Sequence, residues 1–251
     1  MAVVLTRPLQ ESLRWAALLR EQGVPTIVLP LLAIGPAPRP EALAAAAATA
    51  DGHAAVMFVS ANAAQAFFAA GPAFRRARAW APGPGTRDVL LAAGVAASRI
   101  DAPAADAQQF DSEHLWQQVQ GQLRRGDRLL LVRGGDADGR SEGREWLGGQ
   151  LSAAGVHVDT VVAYTRQAPD WDDGQRQAAQ RAAVDGSRWL FTSSEAVQQL
   201  RVLLPAQGWG SARALATHPR IADAVRALGF AQVVSTRPSF ADVLASIESD
   251  R

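Results

Sequence analysis

The sequence predicts an α/β protein built from two similar small doubly wound parallel-sheet domains of the flavodoxin-like kind. Three observations lead there. Short apolar runs alternate with helical stretches of ten to fifteen residues. The same strand–loop–helix units recur in both halves of the chain. The later helices end at a glycine that leads straight into an apolar run, the usual αL stop. Strands alternating with helices impose right-handed crossovers, and so parallel sheets.

Taken in order, Val3-Val4-Leu5 opens the chain as a strand and runs through Thr6-Arg7 and a helix to Gly23-Val24. Its counterpart is Leu129-Leu130-Leu131-Val132, which passes Arg133, a longer loop and a helix before Gly155-Val156. The Ala42 to Ala50 run is a helix by propensity. Val56-Met57-Phe58 leads through Val59-Ser60-Ala61-Asn62 into a helical period, and Trp189-Leu190-Phe191 leads through Thr192-Ser193-Ser194 into another. Gly83-Pro84-Gly85-Thr86 precedes a helix ending at Gly94, as Thr217-His218-Pro219-Arg220 precedes one ending at Gly229.

In doubly wound sheets ligands bind outside the carboxyl ends of the strands. The loops there are Arg7-Pro8, Ser60-Ala61-Asn62, Gly83-Pro84-Gly85-Thr86, Arg133-Gly134-Gly135, Ser193-Ser194 and His218-Pro219-Arg220. Helix N-termini attract anions through their unsatisfied N–H groups and dipole, and arginine adds bidentate carboxylate recognition. Singly, each Ser, Thr or Asn reads as an N-cap. As a set repeated in both halves, they suit a polyanion held in a cleft.

Composition excludes much. At 251 residues the chain suits two small domains, and all 25 basic residues are arginine. Without lysine there is no Schiff base and no phosphate loop ending in Gly-Lys. Without cysteine there is no thiolate nucleophile, iron–sulfur cluster or Cys-ligated zinc. The four histidines (53, 114, 157, 218) share no metal-binding spacing, so no metal is expected. A net charge of +1 with interspersed signs argues against nucleic acid. No run is long enough to span a membrane and no signal peptide opens the chain, which predicts a cytoplasmic protein. Gly83-Pro84-Gly85 is no dinucleotide fingerprint, neither Ser60 nor Ser193 sits in a G-x-S-x-G elbow, and the acidic loop Gly134 to Gly143, with Asp136, Asp138 and Glu142, lacks most of a calcium pattern.

The chain resembles the uroporphyrinogen-III synthases over almost its whole length. The resemblance rests on Leu5-Thr6-Arg7-Pro8, Phe58-Val59-Ser60-Ala61-Asn62-Ala63, Phe110-Asp111-Ser112-Glu113-His114-Leu115, Leu131-Val132-Arg133-Gly134, Ala163-Tyr164-Thr165-Arg166, Phe191-Thr192-Ser193-Ser194, and Arg220-Ile221-Ala222 ahead of Leu228-Gly229-Phe230. It implies a discontinuous arrangement, residues 1–35 with 168–251 in one domain and 36–167 in the other. The Pro-rich Gly35 to Pro40 run and Arg166 to Pro169 are the expected crossings.

The resemblance also implies the reaction: cyclisation of hydroxymethylbilane, a flexible linear tetrapyrrole polycarboxylate, with loss of water and inversion of ring D. No cofactor is implied. The expected protein is a monomer whose other contact is a transient one with the preceding pathway enzyme. By carry-over, Tyr164, the sole tyrosine, is the candidate catalytic residue, as proton donor to the departing hydroxyl. Ser60, Asn62, Gly85, Thr86, Ser193 and Ser194 become donors to the carboxylates. Arg7, Arg133, Arg213 and Arg220 are candidate basic contacts, with a surface or linker-pairing role as the alternative for the first three. Ile221 departs from the hydroxyl residue found near this point in many relatives, which shifts the expected contact to Arg220 and the neighbouring backbone. A two-domain binding or sensor protein of the periplasmic-binding type is the rival from another class. A sugar-nucleotide transferase is a third reading, disfavoured by the absence of its acidic and histidine patterns.

Overall fold

The computed structural model describes residues 2–72, 74–104, 107, 109–140 and 145–249. Along the chain, β1 (Val3–Leu5), α1 (Leu9–Glu21) and β2 (Thr26–Val28) come first. Then follow β3 (Ala33–Gly35), α2 (Pro40–Ala48), β4 (Ala55–Phe58), α3 (Ala61–Ala69), β5 (Arg78–Trp80), α4 (Pro84–Ala92), β6 (Ile100–Asp101), α5 (Ser112–Val119), β7 (Arg128–Gly135), α6 (Glu145–Ala153) and β8 (His157–Gln167). The last stretch holds α7 (Asp173–Ala182), β9 (Arg188–Phe191), α8 (Ser194–Leu203), β10 (Arg213–Ala216), α9 (Pro219–Leu228), β11 (Gln232–Ser235) and α10 (Phe240–Glu248).

The chain divides into two compact units, Met1–Ala33 with Gln167–Arg251, and Ile34–Arg166. The first unit's sheet runs β2-β1-β9-β10-β11 with every neighbouring pair parallel. The second runs β3-β8-β7-β4-β5-β6, parallel from β8 through β6. Aligned, the two orders match: β1 and β2 stand where β7 and β8 stand, and β9, β10 and β11 where β4, β5 and β6 stand. The sequence repeat is therefore tandem, while the five matching strands of each sheet come two from one copy and three from the other, with β3 added as a sixth strand in the second sheet. The direction of winding reverses at one switch point in each sheet, β1/β9 in the first unit and β7/β4 in the second, where a doubly wound sheet opens a ligand crevice.

Each central strand is buried on both faces, and its residues separate with period two into different cores. In the first unit Val4, Trp189 and Phe191 pack under α7, α8 and α9, while Val3, Leu5 and Leu190 pack under α1 and α10. In the second, Val56, Phe58, Leu130 and Val132 face α2, α3 and α4, while Ala55, Met57 and Leu129 face α5 and α6. The predicted glycine stops hold: Gly94 and Gly229 adopt φ of 85° and 107° after α4 and α9, the left-handed region that ends a helix.

Two boundaries move. Strand β7 continues to Gly135, so Gly134 and Gly135 lie in the sheet and not in a loop. Helix α4 begins at Pro84, so Gly85 and Thr86 are its first turn. Beyond β7, the Asp136 carboxylate accepts the backbone N–H groups of Asp138 and Arg140, at 3.0 and 2.8 Å. That turn sets Gly139 against Pro38, and among the described residues no group of three or more acids, histidines or cysteines is placed to hold a cation. The rest of the loop, Ser141 to Arg144 with Glu142, lies outside the described residues.

Candidate functional site

At the carboxyl edge of the second unit's sheet, Phe58 pairs with Val132, and Val59 donates its N–H to Val132 O at 3.1 Å, so Ser60 comes level with Gly134. Gly134 in turn pairs with Tyr164, across a bulge between Arg133 and Gly134. Bulges re-aim side chains beside functional sites. Ser60, Gly134 and Tyr164 thus form a row over three adjacent strands. Tyr164 and Ser60 are two strands apart, about 9.6 Å at ~4.8 Å per strand, and the missing Cβ at Gly134 lets the ring bridge that gap. A Cβ there would sit 2.5 Å from Tyr164 Cζ and 2.7 Å from an Arg166 guanidinium nitrogen. The ring is 5% exposed and belongs to the α2/α3/α4 core, and its hydroxyl lies 3.1 Å from Ser60 Oγ.

Ser60 also caps α3, accepting the Ala63 N–H at 3.2 Å. Its hydroxyl therefore meets both the helix terminus and the tyrosine, a contact that the expected carboxylate role did not include. Asn62 lies in the first turn of α3, half-buried. Gly85 and Thr86 lie in the first turn of α4, where N–H groups have no intrahelical acceptor; a Cβ on Gly85 would meet open space.

Arg133 is half-buried at the same edge. Burial lowers its pKa below the ordinary arginine value, and the charge of neighbouring Arg166 pushes the same way, against a smaller opposing influence of Tyr164. Its Nε is buried and has no hydrogen-bond partner.

In the first unit, Ser193 is the N-cap residue of α8 but makes no capping hydrogen bond, and Ser194 begins the helix; both are half-buried. His218 caps α9 instead, its Nδ1 accepting the Arg220 N–H at 3.2 Å, and the Arg220 side chain is exposed. Arg7 is committed within the unit, to Glu11 at 3.0 Å and over the Trp15 ring at 4.3 Å. Burial lowers its pKa while Glu11 opposes the shift. Arg213 opens β10 in register with Arg188 and Gln232, at the amino end of the sheet. The carboxyl-edge loops lie at the other end, so the fold does not bring Arg213 to them.

The ladder adds residues that sequence reading passed over. Thr217 N donates to Phe191 O and Thr236 N to Ala216 O, so Thr192, Thr217 and Thr236 come level across β9, β10 and β11. The signal was available: Thr236-Arg237-Pro238 repeats Thr6-Arg7-Pro8. Arg166, whose guanidinium lies beside the Tyr164 ring over Gly134, belongs to the same motif as Tyr164 but has no site role in the sequence expectation. Among the described residues no group of three or more His, Cys, Asp or Glu is placed to hold a metal, and no helix is long and apolar enough to cross a membrane.

The structure resembles a uroporphyrinogen-III synthetase from Helicobacter pylori 26695, with a TM-score of 0.59 at 14% identity over 100% of this chain and 99% of that one. It also resembles a triply substituted uroporphyrinogen III synthase from Thermus thermophilus, at 0.56 and 18% over 99% and 98%. At such identities these matches speak for the two-domain α/β fold. The family model "Uroporphyrinogen-III synthase HemD" matches residues 14–245, nearly the entire sequence. This chain therefore belongs to the uroporphyrinogen-III synthase family.

Proposed function

We propose that the chain is a cyclising lyase that converts hydroxymethylbilane to uroporphyrinogen III, with Tyr164 as proton donor and Ser60 as the residue that holds it. The observation that carries the roles is the Ser60–Tyr164 contact of 3.1 Å at the carboxyl edge of the sheet, beside its switch point. The two hydroxyls share two protons. Either hydroxyl can donate between them; in this reading Ser60 donates to the Tyr164 oxygen while accepting the Ala63 N–H, which leaves the phenolic proton for the substrate.

Transfer of that proton to the terminal hydroxyl of the bilane releases water and leaves a protonated azafulvene, a cation, beside the tyrosinate. Ser60 then donates to the tyrosinate oxygen, and Arg133 and Arg166 supply positive charge nearby. The substituted α-carbon of ring D attacks, the spiro intermediate fragments, and the ring recloses inverted, the proton lost as the pyrrole regains aromaticity restoring the Tyr164 hydroxyl. Because the bilane also closes unaided to the uninverted isomer, the protein's task is to hold one geometry. Asn62, Gly85, Thr86, Ser193, Ser194 and Arg220 bind side-chain carboxylates in this reading, helped by the helix N-termini they occupy. The working protein is a cytoplasmic monomer that receives its substrate from the preceding enzyme.

The test supplies hydroxymethylbilane generated in situ, oxidises the product and resolves the porphyrin isomers. Isomer III is expected; isomer I alone overturns the assignment. Neither the family match nor the two solved structures favours the binding-protein alternative.

A further inference from the structure

The sequence repeat supplies an internal control for the arginines. Leu5-Thr6-Arg7-Pro8 corresponds to Leu131-Val132-Arg133-Gly134, so Arg7 and Arg133 hold equivalent places after the equivalent strands β1 and β7. Both have a buried Nε without a hydrogen-bond partner. Arg7 has its counter-ion four residues on, Glu11 at 3.0 Å, and a tryptophan ring beneath it. Arg133 has Ala137 four residues on, and no carboxylate pairs with it among the described residues. Arg166 is a like charge that pushes on Arg133 in the same direction as burial. A half-buried cation beside a like charge, with a dry donor left open, is an arrangement that costs stability until an anion arrives.

We propose that Arg133 is a carboxylate anchor: its guanidinium takes one side-chain carboxylate of the substrate, in a field reinforced by Arg166, and so sets the chain beside Tyr164. This rests on the synthase reading and adds to it one specific contact. Charge-assisted bidentate geometry suits a carboxylate, and Arg133 lies opposite Val162 at the sheet edge where β8 carries an extra residue, Ala163, just before Tyr164.

The experiment measures binding of uroporphyrin III, an octacarboxylate that is not turned over, to the full chain and to Arg133→Gln, Arg133→Lys and Arg226→Gln, together with thermal unfolding of each. Arg226 is paired with Asp223 on α9 and controls for loss of one positive charge. Arg133→Gln is expected to weaken binding roughly tenfold or more, the weight of one charge-assisted contact. Its melting temperature should be unchanged or higher, because an unpaired buried charge is gone. Arg133→Lys should recover part of the affinity, and Arg226→Gln should stay within about twofold of the parent. An Arg133→Gln protein that binds like the parent, or that melts lower, overturns the anchor, as does a parent chain that does not bind uroporphyrin III. A parent that binds uroporphyrin III yet forms no isomer III overturns the synthase reading instead, and leaves the anchor standing.

Discussion

Tyr164 reaches Ser60 across Gly134, so the 3.1 Å hydroxyl contact between two strands depends on the side chain that the strand between them lacks. A methyl at position 134 would lie 2.5 Å from the ring carbon bearing the hydroxyl. Gly134→Ala is expected to destabilise the protein by about 1–3 kcal/mol through overpacking and to slow isomer III formation strongly by displacing the hydroxyl. Denaturation of Gly134→Ala, Tyr164→Ala and the double variant checks the cause. The double should be distinctly less destabilised than the sum, since the ring that clashes is gone; simple additivity would contradict the steric account.

Ser60 has two jobs, so its variants should separate. Ser60→Ala loses the cap of α3, about 1 kcal/mol, and also frees the tyrosine hydroxyl, so the turnover rate should fall while substrate KM moves little. Ser60→Thr keeps an oxygen in place and should restore most of both. Rates for the two variants, set against their melting temperatures, decide whether the loss of rate follows the loss of the Tyr164 contact or only that of stability.

The first unit is assembled from distant segments, and two side chains tie them. Trp171 Nε1 donates to Pro30 O at 2.8 Å, and Thr6 Oγ1 donates to Leu190 O at 2.6 Å, both buried. Trp171→Phe and Thr6→Val each leave a buried carbonyl without its partner and should cost about 1–2 kcal/mol in urea denaturation. Values near zero would mean water or another donor replaces the bond.

Asp159 links β8 to the helix side of the second unit, accepting from His53 Nε2 at 3.0 Å and Arg128 Nη2 at 2.7 Å. Burial pushes its carboxyl pKa up, but the hydrogen bonds and charges of His53 and Arg128 outweigh that and hold it below the ordinary value. Asp51 is lowered in the same net direction: burial raises it, and the backbone N–H groups of Arg76, Ala77 and Arg75 overcome that. A folded pKa below the unfolded one gives stability that is present above about pH 4 and lost as pH falls through the folded pKa. Asp159→Asn should flatten that acid limb in pH-dependent melting. An unchanged limb would show that these contacts do not couple protonation to folding.

Much of the fold was legible because it follows from local rules. The strand pattern, the stops at Gly94 and Gly229 and the duplicated Ser60 and Ser193 junctions all appear as short-range composition. The site was less legible because it depends on what meets across strands. Tyr164 was singled out by resemblance, but its bond to Ser60 depends on register, and register on a bulge that no spacing announces. Gly134 read as a loop glycine, although it lies in a strand and is needed for the space beside it. Arg213 looked like the other arginines until its strand direction placed it at the amino end of β10. Ser60 and Ser193 look alike in sequence, yet one hydroxyl caps its helix and the other does not.

The most direct measurement is the rate and isomer composition of bilane cyclisation by Tyr164→Phe beside the parent chain. The ring, its burial and its clash-free place over Gly134 all survive that change, and only the hydroxyl is lost. The account predicts a folded protein with normal melting, isomer III formed roughly 10²- to 10⁴-fold more slowly, as expected when a positioned proton donor is removed, and isomer I taking over as the unaided reaction overtakes it. Formation of isomer III at the parent rate would contradict it.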